Sequence, residues 1–96
     1  MNETQVATAV REAHDARTVI DKATARALAY FWTDNNQSGV WAMRAFAHGS
    51  DTEHMPGVLR EVNGLLAYIE SDKADSWEDN RMELEALRAY AESVTI

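Results

Sequence analysis

The chain has 96 residues, of which 46% are hydrophobic and 26% charged, and this balance predicts a single soluble globular domain spanning residues 1–96. The absence of cysteine excludes a disulfide framework and fits a reducing cytoplasmic location, where we expect the protein to reside. The net charge of −7 disfavours direct binding to nucleic acid or anionic membranes, and the sequence predicts neither a signal peptide nor a membrane span.

The first predicted element is a long helix from Glu3 to about Trp32. This stretch contains no Gly or Pro, and its apolar residues recur at three- and four-residue steps, which is typical of an amphipathic helix. Either Asn2 or Thr4 is expected to cap its start.

The length of this first helix creates a conflict with the size of the domain. A continuous helix would be about 45 Å long, whereas a compact domain of this length is roughly 32 Å across. We therefore expect the helix either to break around His14–Thr18 or to overhang the domain. In the second case a seam of small apolar side chains would offer a self-association surface to a second copy. The seam residues are Val6, Val10 and Ala13.

The segment Leu28–Gly49 holds five of the eight aromatic residues of the chain. It predicts the end of the first helix, a polar connection over Thr33–Gly39, and a short helix over Gly39–His48. Because this short helix is apolar on nearly every side, with Arg44 as its one charged residue, we expect it to be mostly buried. Large rings bury the most area per residue, so the core is expected to form around this segment.

Two amphipathic helices are predicted to complete the domain. The first, over Pro56–Glu70, carries a broad apolar face, and the second runs over about Ser76–Ser93. Gly64 interrupts the first of them, and a close helix crossing is its expected use. No segment shows period-two alternation, so the predicted fold class is all-α, a small helical bundle of about four helices.

Charge is distributed unevenly along the chain. Residues 1–48 carry five acids and five bases, whereas residues 49–96 carry eleven acids and four bases. Part of this acidic excess forms a candidate acidic interaction face, which consists of Asp72, Asp75, Glu78, Asp79 and Glu83. Because a row of carboxylates can imitate nucleic-acid phosphates, one hypothesis is that this face occupies the basic groove of a DNA- or RNA-binding protein. The alternative is a solvated helix face that maintains solubility.

Motifs for catalysis or metal binding are weak in this sequence. His48, Asp51, Glu53 and His54 lie close together, but their spacing matches no known metal motif, and we interpret them as a solvated polar loop. Acidic pairs on predicted helices suggest the polyacid site of small all-α pyrophosphatases, but no E-x-x-E motif completes that pattern. We therefore predict no catalytic residue, no metal and no cofactor.

The segment QSGVWAMRAFAHG, residues 37–49, resembles a segment of short uncharacterised proteins of actinobacteria and their phages and plasmids. In those proteins a helix ends in a Trp and is followed by a polar turn and a Gln. A helix then starts with small residues and an aromatic residue, and it closes with a small residue followed by Gly. Trp32 matches that Trp, although the turn here is TDNN where the pattern has His and Gly. The resemblance covers about residues 26–70. It implies no activity and no site residues.

These observations predict a small, acidic, non-enzymatic protein that acts by binding an unidentified protein partner, with a basic partner and a second copy of the chain as the options. The first alternative is an acidic nucleic-acid mimic that inhibits a host nuclease or another nucleic-acid-binding protein, as a mobile-element origin would suggest. The second alternative is a metal-dependent nucleotide hydrolase.

Overall fold

The computed structural model describes residues 1–36, 40–49, 52–72 and 77–95, and the side chains of 1–34, 40–49, 53–70 and 80–95. Within these ranges the chain is helical and contains no strand, so the all-α fold class is confirmed. The sequence predicts about four helices, whereas these ranges contain five α-helices, because the predicted single first helix is divided into two. The elements are α1 Glu3–Ala16, α2 Lys22–Asn36, α3 Trp41–Ala47, a 3₁₀ turn Thr52–His54, α4 Met55–Asp72 and α5 Trp77–Val94.

The predicted first helix breaks into α1 and α2, and the overhang does not occur. Arg17 adopts a left-handed backbone conformation, with φ 58° and ψ 41°, which ends α1. The Thr18 N–H then donates to the Ala13 carbonyl at 2.9 Å, closing the end of the helix. Because the chain turns back here, α1 packs against both α2 and α5, and the longest dimension of the domain is 34 Å.

Both helices of this first pair begin with a side-chain cap. The Asn2 side chain accepts a hydrogen bond from the Gln5 N–H, and the Gln5 side chain accepts one from the Asn2 N–H, both at 2.9 Å. This capping box identifies Asn2 as the residue that caps α1. Before α2, Asp21 Oδ1 accepts a hydrogen bond from the Thr24 N–H at 2.7 Å. The Thr24 hydrogen bonds lower the pKa of Asp21.

The core contains buried side chains from all five α-helices of the described ranges. Phe46 of α3 is fully buried, and its ring lies 6.0 Å from that of Tyr90 at an interplanar angle of 26°. The Arg26 guanidinium lies over the Phe46 ring at 5.9 Å, which covers the ring with a cation. The longer helices α4 and α5 pack along each other and complete the core with Val62 and Leu84, both fully buried.

The predicted self-association seam faces this core. Val6 is 3% exposed and Val10 2% exposed, and Ala13 is partly buried against the same cluster. The seam was predicted for an overhanging helix, and the break at Arg17 instead folds these side chains inward. Their apolar surface is therefore used within the chain.

The close helix crossing predicted at Gly64 occurs instead at Gly57. A Cβ added at Gly57 would lie 3.0 Å from the Ala42 Cβ, so α3 and α4 approach each other closely there. A Cβ at Gly64 would meet nothing within 4 Å. The crossing lies at the other glycine of α4 because α3 is only 7 residues long and meets the start of α4.

Candidate functional site

The outer side of α3 exposes a large aromatic residue and a cationic residue to solvent. Trp41, Arg44 and His48 follow one another at three- and four-residue spacing, which places them on one side of the helical turns. The opposite side consists of Ala42, Met43 and Phe46, all buried. Trp41 is 67% exposed, the highest value among the exposed large hydrophobic residues.

Edge-to-face ring contacts extend this side of α3 in both directions. The Tyr30 and His48 ring centroids lie 5.9 Å apart at 85°, and the Trp41 and His54 centroids lie 6.4 Å apart at 84°. The α3 surface therefore joins residues from α2, α3 and the 3₁₀ turn. It consists of Tyr30, Trp41, Arg44, His48 and His54.

The neighbours of this surface hold its rings in defined positions. Tyr30 also contacts Phe31 edge-to-face, with centroids 5.5 Å apart at 80°. His54 Nε2 lies 3.6 Å from Glu53 Oε1, so the exposed Glu53 carboxylate lies next to the imidazole that contacts Trp41. Rings held by neighbours in this way lose less side-chain freedom when a partner binds.

This arrangement corrects the expectation that the aromatic residues of Leu28–Gly49 would gather in the core. Trp32 and Phe46 are buried and Phe31 is partly buried, but Tyr30 and Trp41 face solvent. The expectation that the short helix would be mostly buried is wrong at Trp41, and Arg44, the one charged residue of that helix, is exposed to solvent. The signal was present in the sequence, because Trp41, Arg44 and His48 share one side of a helical wheel whose opposite side is uniformly apolar.

The candidate acidic face is described in the structure only at Glu83. Asp75 lies outside the described residues, as do the side chains of Asp72, Glu78 and Asp79. Glu83 is partly buried, and its Oε2 accepts a hydrogen bond from the Trp32 indole N–H at 3.1 Å. This carboxylate is therefore directed at least in part towards α2.

A groove of about 450 Å³ lies beside this hydrogen bond, between α1, α2 and α5. Its aromatic lining is Phe31 and Trp32, and its carboxylates are Glu3 and Glu83. Trp32 is only 6% exposed, so most of its ring is inaccessible to a ligand. The α3 surface, whose aromatic rings face solvent, is therefore the stronger candidate site.

No protein-family model, curated protein or solved structure matches this chain. The resemblance of residues 37–49 to short actinobacterial proteins thus stays a prediction.

The two histidines that the sequence places close together make different contacts in the structure. His48 contacts Tyr30, whereas His54 contacts Trp41 and Glu53, and Asp51 lies outside the described residues. In the part of the chain that the structure describes, no three His, Asp or Glu side chains are grouped so that they could hold a metal ion. None of the described helices combines the length and apolarity needed to cross a bilayer.

Proposed function

We propose that this chain is a small non-enzymatic interaction module that binds a partner protein through the α3 surface. The observation that carries this proposal is the exposure of Trp41 and Arg44 on the outer side of a helix whose inner side is anchored by Phe46. Trp, Tyr and Arg are the residue types most enriched among those that dominate protein–protein binding energies. The α3 surface contains one of each.

The local charge of this surface differs from that of the chain as a whole. Arg44 is its one permanently charged member, and the Glu53 carboxylate lies at its edge beside His54, whereas the acidic excess of the chain lies in residues 49–96. A partner meeting the α3 surface therefore approaches aromatic rings and a cation. Such a mixed patch favours a specific contact over nonspecific attraction to basic surfaces.

The proposal is tested by affinity capture from a lysate of the source organism with the full chain as bait. We expect Trp41→Ala and Arg44→Glu each to lose a captured protein that the unchanged chain retains. Tyr68→Ala is the matched control, because Tyr68 is a similarly exposed aromatic residue on α4, 64% exposed. Capture that is unaffected by both α3 substitutions would remove this surface from consideration.

A second candidate function, an acidic mimic that inhibits a nucleic-acid-binding protein, is favoured by the segregation of charge along the chain. Its test is charge reversal at Asp75, Glu78 and Asp79, with binding to a basic partner measured across salt concentrations. A mimic would bind less tightly after reversal and as salt rises. Glu83 is a poor probe of this function because it accepts the Trp32 hydrogen bond.

A further inference from the structure

The α3 surface presents hydrogen-bond donors beside its aromatic rings. An indole N–H is a donor only, and a guanidinium has five N–H donors and no acceptor. The side chains of Trp41 and Arg44 are both exposed, and within the described residues neither makes a hydrogen bond or an ion pair. A partner that binds here therefore meets a ring, a cation and donors that the described part of the chain does not use.

The absence of a carboxylate beside Arg44 does not reflect a shortage of acidic residues. The chain has 16 acidic and 9 basic residues, and another arginine, Arg81 of α5, pairs with Glu70 of α4 at 3.1 Å. The helix α3 contains no acidic residue, so none lies one turn from Arg44 on the same helix. At the edge of the surface, the Glu53 carboxylate lies beside His54. The charge of Arg44 thus remains for a partner to neutralise.

We propose that the partner of the α3 surface is a protein segment that presents one Asp or Glu side chain next to an apolar side chain. Arg44 binds the carboxylate through two parallel N–H donors, and the exposed Trp41 ring packs on the apolar side chain. Residues three apart on a helix have Cβ atoms about 5–6 Å apart, a spacing that two nearby side chains of one bound segment can match. This inference rests on the proposed binding through the α3 surface.

The charge of the chain favours a segment with one carboxylate over a polyanion. A nucleic acid or an anionic membrane would be attracted by Arg44 but repelled by the net charge of −7. The Glu53 carboxylate beside His54, whose ring contacts Trp41, disfavours a second negative charge at that end of the surface. A single carboxylate flanked by apolar atoms gains the pair with Arg44 and avoids most of this repulsion.

The first experiment is selection of a random peptide library, displayed on phage, against the immobilised full chain at low ionic strength. We expect the selected peptides to share one Asp or Glu next to an apolar residue. The most enriched peptide is then synthesised, and its dissociation constant is measured by isothermal titration calorimetry. Replacing its acidic residue by the matching amide is expected to weaken binding by about tenfold or more, because Arg44 then loses a charged partner.

Variants of the chain test which of its residues bind the peptide. Arg44→Ala and Trp41→Ala are each expected to weaken binding by about tenfold or more. Arg11→Ala is the matched control, because it changes the net charge equally at an exposed arginine of α1, a helix that packs against α2 and α5. Arg44→Glu is expected to bind a peptide with Lys in place of its acidic residue more tightly than the original peptide. Circular dichroism checks that every variant is folded.

The outcomes separate this inference from the proposed function. Selected peptides that require Trp41 but share no acidic residue would overturn the inference and leave the α3 surface standing. A shared acidic residue that the amide replaces without loss of binding would do the same. Peptides indifferent to both Trp41→Ala and Arg44→Ala, or a selection that yields no peptide, would overturn the inference and count against the α3 surface as well.

Discussion

The indole N–H of Trp32 donates a 3.1 Å hydrogen bond to Glu83 Oε2, joining α2 to α5 across 51 residues of sequence. Trp32 is almost fully buried, and a buried indole N–H needs an acceptor. Glu83 supplies this acceptor at the edge of the groove between α1, α2 and α5. One residue of the candidate acidic face thus has a structural role.

Removing this acceptor is expected to destabilise the fold. Glu83→Ala leaves the Trp32 N–H without this acceptor and should lower the free energy of unfolding by about 1–3 kcal/mol. Glu83→Gln retains an acceptor oxygen and is expected to cost less. Urea unfolding followed by circular dichroism measures both. Equal stabilities of the alanine and glutamine variants would show that the hydrogen bond contributes nothing.

The two glycines of α4 are expected to respond in opposite directions to alanine. Gly64→Ala adds helix propensity without meeting any atom and should stabilise the monomer by about 0.5–1 kcal/mol. Gly57→Ala forces its Cβ against the buried Ala42 and should destabilise by about 1 kcal/mol, because α3 must shift to make room. Thermal unfolding at low concentration compares the pair directly. A stabilising Gly57→Ala would mean that the two helices separate easily.

The Asp21 cap is expected to make stability depend on pH. Its pKa is lowered by the Thr24 hydrogen bonds, so its contribution is present above the unfolded value of about 3.9 and is lost as the pH falls through the lower, folded value. Asp21→Ala should cost about 1 kcal/mol at neutral pH, whereas Asp21→Asn retains a cap that does not titrate.

The measurement for the cap is urea unfolding at neutral pH and near pH 3 for the unchanged protein and the asparagine variant. Other carboxylates titrate in both proteins, so the informative quantity is the difference in stability between them. We expect this difference to shift in favour of Asp21→Asn as the pH falls. A difference that is constant with pH would contradict the role of Asp21.

Two aromatic residues of α3 are expected to differ sharply in their contribution to stability. Phe46→Ala removes a fully buried ring and should cost about 3–5 kcal/mol, a large fraction of the typical stability of a small domain. Trp41→Ala removes a ring that faces solvent and should change stability by less than about 0.5 kcal/mol. Thermal unfolding measures both variants. A strongly destabilised Trp41→Ala would show that the Trp41 ring contributes to packing in the folded state.

The two long helices after Gly39 were predicted with errors of only one or two residues. The predicted helix Pro56–Glu70 is Met55–Asp72 in the structure, and about Ser76–Ser93 is Trp77–Val94. Apolar spacing and the position of Pro56 are local signals, and a helix depends mainly on local hydrogen bonds. For the first helix, the sequence left open whether the helix breaks or overhangs the domain. The break depends on a left-handed backbone at Arg17, and an arginine in this conformation leaves no strong compositional signal.

The sequence by itself determined that the chain is all-α, where most of its helices run, and that the first helix must either break or overhang a domain of this size. Only the tertiary structure decided which side chains face solvent: it turned Val6 and Val10 inward, Trp41 outward, and left Gly64 uncovered. The reason is that helical periodicity depends on neighbours three or four residues away. Burial depends on which helices meet, and here the short α3 covers the start of α4 and leaves the rest of that side open.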